Sequence, residues 1–142
     1  MMDRVPAQAS VPDWLMTYCR QLADVHHGRR LNRMYEFMLN GFLKMEPWKA
    51  TPPLEWRQSR VHGSATLVAY RGTGGDPGWV PMNMMLPVEL AERIRQTIEM
   101  INVNGGMWNT GQKLSMRTFL YTAVYWWCSF VHPYKGPGIM QD

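Results

Sequence analysis

Residues 114–131 constrain this chain more than any other stretch, because they read as a helix that is apolar on almost every side. Leu114-Ser115 opens it, and Ser115 is of a residue type that caps helix N-termini. Phe119, Leu120, Ala123, Val124, Trp127 and Val131 then recur at spacings of three and four, while Tyr121, Tyr125, Trp126 and Phe130 widen the stripe nearly right round. Such a helix must be buried on nearly all sides. In a chain of 142 residues, burial between two copies is the simplest arrangement, so the sequence predicts a homodimer. The apolar run from Phe119 to Val131 is shorter than the roughly 20 residues needed to cross a bilayer. Residues 1–10 carry no apolar signal segment. The expectation is a cytoplasmic protein, bacterial in setting, with no membrane partner.

Immediately upstream, the pattern changes period. Val80, Met82, Met84 and Leu86 alternate with Pro81, Asn83 and Met85, as in a strand with one face buried. Pro87 ends that strand and suits the first position of a helix. Glu89 and Glu92 fall where the helix dipole favours negative charge. Leu90, Ile94, Ile98 and Ile101 make the apolar stripe, and Asn104-Gly105-Gly106 ends it.

The first half is less regular. Ser10-Val11-Pro12-Asp13 reads as a helix start with Ser10 as N-cap. Leu15, Tyr18, Cys19, Leu22 and Val25 follow at helical spacing; Gly28 marks a break or kink, and Leu31, Met34, Tyr35, Met38, Leu39 and Phe42 form a second stripe, so two helices or one bent helix should fill residues 11–45. The organisation expected is an N-terminal helical region at 1–45, a proline-containing linker at 46–78 with a candidate strand at 61–70, a C-terminal module at 79–135, and a tail at 136–142. The class is mainly α with short β.

The succession VPMNMMLPVELAERIRQTIEMI and LSMRTFLYTAVYWW resembles the ribbon-helix-helix family of DNA-binding proteins, which includes phage repressors, antitoxins, conjugation accessory proteins and plasmid centromere-binding proteins. The resemblance covers residues 79 to about 131. It implies a dimer in which the strands of two chains pair into an antiparallel ribbon that enters the major groove. Pro81, Asn83 and Met85 would then face the bases, Asn83 being suited to a paired contact with adenine. The dimer core would hold Met82, Met84, Leu86, Phe119, Leu120, Ala123, Val124 and Trp127. Lys113, Ser115, Met116 and Arg117, at the N-terminus of the last helix, would hold a DNA phosphate. Placement of the module at the carboxyl end suggests plasmid partition or transcriptional repression, with a partition ATPase as a partner of the N-terminal region.

Other readings stand beside these. The 80–86 segment could be an ordinary sheet strand, and the module could serve protein interaction or oligomerisation without DNA. The long 102–114 connection could touch DNA, cover the core, or be simple insertion. Arg29, Arg30 and Arg33 cluster on the first helical region, as a solvated face or as contacts to DNA or an acidic partner. Fifteen Lys and Arg against eleven Asp and Glu give a net charge of +4, a mild lean toward anionic partners. No nucleophile–base pairing and no metal-ligand spacing stands out among His26, His27, His62, His132, Cys19 and Cys128, and the Gly72–Gly78 stretch lacks the ending of a phosphate loop. The expectation is a protein that is not an enzyme and needs neither metal nor cofactor.

Overall fold

Two short strands, not one, carry the alternating pattern. The computed structural model describes residues 3–59 and 78–131. Strand β1 (Arg4–Pro12) leads into helix α1 (Asp13–His26) and helix α2 (Leu31–Met45), followed by a single 3-10 turn, Pro47–Lys49. Strand β2 (Trp79–Pro87) leads into helix α3 (Val88–Val103) and helix α4 (Met116–Trp126), which passes into a π-helical turn, Trp127–Val131. β1 and β2 pair antiparallel over their whole length, with Gln8 opposite Asn83 at the centre. The candidate strand at 61–70, the glycine-rich stretch at 72–77, His62, His132 and the tail at 136–142 lie outside the described residues.

This overturns the expected architecture. The C-terminal segment does not form a dimerising module behind a helical region: its strand pairs with residues 4–12 of the same chain. Val5, Ala7, Ala9 and Val11 line the core face opposite Leu86, Met84, Met82 and Val80. Ser10, expected to cap the first helix, is buried inside β1, and α1 begins at Asp13 with no side-chain cap.

The chain contains two strand–helix–helix units in the same order. At a constant offset of 75 residues, Val5-Pro6-x-Gln8-x-Ser10-Val11-Pro12 corresponds to Val80-Pro81-x-Asn83-x-Met85-Leu86-Pro87. The same offset relates Leu15, Met16 and Cys19 on α1 to Leu90, Ala91 and Ile94 on α3, and all six are buried. For the second helices the offset is 84: Met34, Tyr35, Met38, Leu39 and Phe42 correspond to Thr118, Phe119, Thr122, Ala123 and Trp126, every one buried. The change of offset reflects the longer connection between α3 and α4. The second helix of each unit packs on the strand of the other, α2 on β2 and α4 on β1. The two units therefore interlock rather than stand side by side.

That interlocking buries most of the apolar helix within one chain, while Phe130 and Val131 at its end, expected in the buried stripe, are exposed. Met82, Met84, Leu86, Phe119, Leu120, Ala123 and Val124, expected at a dimer interface, are buried within one chain. Trp127 is half-buried, its ring 5.2 Å from that of Phe37. Phe42 sits among Trp48, Trp56, Phe119 and Trp126, with centroids 5.2 to 6.1 Å away. The 102–114 connection clasps the segment that follows the 3-10 turn: Trp108 Nε1 donates to the Leu54 carbonyl at 2.6 Å and Asn109 Nδ2 to the Trp56 carbonyl at 3.0 Å. Of the three readings of that connection, the structure supports covering the core, where Met107 is buried. Gly106 (φ +79) lets it turn, since an added Cβ would meet the Gln112 carbonyl oxygen.

Candidate nucleic-acid interface

A two-stranded ribbon has two faces and two edges. The inner face is closed by the four helices. On the outer face Arg4, Pro6, Gln8, Pro81, Asn83 and Met85 are all exposed. They form one patch because the register sets Pro6 opposite Met85, Gln8 opposite Asn83 and Ser10 opposite Pro81. The prolines sit here without loss. Ser10 and Met85 have the same parities as Pro6 and Pro81, and both direct their N–H groups away from the partner strand, to Ser59 Oγ (2.8 Å) and Asn32 Oδ1 (2.9 Å). Each proline's missing donor therefore falls at an edge, where it removes no ladder bond.

Gln8 Nε2 donates to Asn83 Oδ1 at 2.6 Å across the centre of this face. The bond uses neither the Asn83 amide hydrogens nor the Gln8 carbonyl oxygen, which leaves a donor and an acceptor on this face. Around them Pro6, Pro81 and Met85 give an apolar surround.

One end of the ribbon is strongly cationic. Arg4, Arg29, Arg30, Leu31, Asn32, Arg33 and Glu36 line a surface hollow of about 620 Å³ at the start of α2. Arg4 reaches across to donate from Nη1 to the Met85 carbonyl (2.8 Å) and from Nη2 to Glu36 (2.7 Å). Arg29 lies 3.9 Å from Asp24, with its own backbone in the left-handed region at φ 66. Glu36 is the one carboxylate among four guanidinium groups in the hollow, which is therefore net positive and opens where helix N–H groups also favour anions.

The residues expected to hold phosphate lie on the other unit. Ser115 caps α4, its Oγ accepting from the Thr118 N–H at 3.2 Å. Lys113 and Ser115 are exposed, while Met116 and Arg117 are half-buried. Arg117 corresponds to Arg33 at the offset of 84, so both second helices carry an arginine in the first turn. Sequence reasoning placed Pro81, Asn83 and Met85 together, and the structure has them on one exposed face. It missed Arg4, Pro6 and Gln8, which β1 contributes to that face. The repeat of Val-Pro-x-amide was the signal that could have found them.

The ends are not equivalent. Ser10, the counterpart of exposed Met85, is buried, and Ser59 Oγ bonds both its N–H and, at 2.5 Å, its carbonyl. Among the described residues no group of three His, Cys, Asp or Glu could hold a metal ion, and no helix is long and apolar enough to cross a membrane. Compared with protein families, curated proteins and solved structures, the chain matches none.

Proposed function

We propose that this protein binds double-stranded DNA sequence-specifically, laying the outer face of the β1–β2 ribbon in the major groove, as ribbon-helix-helix proteins do with two chains. The observation that carries the reading is the exposed Gln8–Asn83 amide pair at the ribbon centre, flanked by the Arg4, Arg29, Arg30 and Arg33 hollow. The major groove admits a two-stranded ribbon, and Gln and Asn amides match the donor and acceptor edge of adenine. Met85 supplies apolar contact of the kind that suits a thymine methyl. The arginine hollow and the capped start of α4, with Lys113 and Arg117, supply backbone contacts that position the ribbon without reading sequence. A protein with these parts serves processes that need a marked DNA site, such as transcriptional repression or replicon partition.

The test is duplex binding followed across salt concentration, with the full chain. Contacts to about six phosphates weaken affinity roughly a thousandfold between 50 and 200 mM salt. Tight binding at low salt with a steep salt slope, and a preferred site over random duplex, is the expected result. Absence of duplex binding at low salt would overturn the proposal in favour of an interaction module.

A further inference from the structure

We infer that the DNA site of this protein is non-palindromic and is filled by one chain. The inference rests on the DNA-binding reading above and concerns what kind of site the same face selects. Symmetric readers select palindromes because operator symmetry mirrors protein symmetry. Here the two strand–helix–helix units lie on one chain and differ on the very face that would meet the bases.

The corresponding positions make the point one by one. At the centre Gln8 answers Asn83, two amides whose side chains differ by one methylene and so reach to different depths. Toward one end Met85 is exposed beside Pro6; toward the other, its counterpart Ser10 is buried beside Pro81. The edge contacts differ too. Met85 N–H is held by Asn32, at the start of α2, whereas Ser10 is held through both backbone groups by Ser59, from outside either unit. Backbone anchoring is also uneven. Arg4, Arg29, Arg30 and Arg33 gather at the Met85 end, while the start of the other second helix offers Lys113, Ser115 and Arg117. Of the two arginines at corresponding positions, Arg33 is exposed and Arg117 half-buried. A duplex whose half-sites were identical would satisfy one half of this face and mismatch the other.

The experiment is selection of bound duplexes from a random pool, followed by native mass spectrometry of the full chain on the selected duplex. The expected outcome is a consensus whose halves differ, with one chain per site. Two artificial palindromes, made by duplicating either selected half, should each bind roughly ten- to a hundredfold more weakly than the intact site, as one or more mismatched pairs would cause. Met85→Ala should change the preferred bases in one half of the consensus and leave the other half as it was. A palindromic consensus carrying two chains would overturn the inference while leaving DNA binding intact. A palindrome bound as tightly as the selected site would overturn it equally. Failure to enrich any duplex would instead count against the DNA-binding reading itself.

Discussion

Gln8 and Asn83 occupy a pair of positions where neighbouring strands exchange no backbone hydrogen bonds, so their side chains approach closely enough for the 2.6 Å amide contact. Removing one member should change recognition more than folding, because both are exposed. Asn83→Ala is expected to relax the preference at one base pair, at a cost of about 1–3 kcal/mol, with the unfolding midpoint nearly unchanged. An unaltered site preference, measured by competition among single-base variants, would remove Asn83 from base reading. Two buried groups behave in the opposite way. Cys19 hydrogen-bonds to Cys128 within the core, and that bond together with burial pushes its thiol well above the ordinary range. Burial also raises the Tyr35 hydroxyl, which lies 3.8 Å from the Met16 sulfur. Both groups are neutral when protonated, so the unfolded chain loses their protons first as pH rises. Their stabilisation is complete below the unfolded thiol value of about 8.5 and declines above it, further past about 10 where the unfolded tyrosine ionises. Urea midpoints should fall from pH 8 toward pH 11, and the double variant Cys19→Ala, Tyr35→Phe should flatten that slope (about these unfolded values).

At the scale of elements, the cap on α4 has a defined worth. Ser115→Ala removes the acceptor for the Thr118 N–H and should cost about 1 kcal/mol of stability, read as a lower urea midpoint at unchanged slope. This helix, α3 and β2 were legible in the sequence because each carries an unambiguous period and a marked end. An interruption at Gly28 was legible too, though the stripes on either side suited one bent helix as well as the two separate helices observed. β1 was not. Val5, Ala7, Ala9 and Val11 do alternate, but alanine and proline are poor strand formers, and Pro12-Asp13 reads equally well as a helix entrance. Half of the candidate site was hidden with β1. Arg29, Arg30 and Arg33 were visible as a cluster, yet only the fold sets them beside Arg4 and Met85.

For the molecule as a whole, the two units share one core and should unfold together. Phe42, on the second helix of the first unit, packs edge-on against Phe119 and Trp126 of the second, with Trp48 and Trp56 closing the cluster. Phe42→Ala should cost roughly 3–5 kcal/mol and shift the unfolding monitored at both units by the same amount. Separate transitions for the N-terminal and C-terminal halves would show that the units fold independently. The expected ribbon of two β2 strands from two chains failed at this scale for a physical reason: β2 pairs with β1 of its own chain, 75 residues upstream, and α4 packs on that strand. Joining the two on one polypeptide has a quantitative consequence for how such a protein responds to its own abundance. A ribbon assembled from separate molecules falls apart on dilution, so its occupancy of a target drops more steeply than its total amount. Here the halves are tethered, and the ribbon persists however few molecules a compartment holds. Under the proposed DNA-binding function, occupancy would then scale in simple proportion to copy number, down to a solitary molecule.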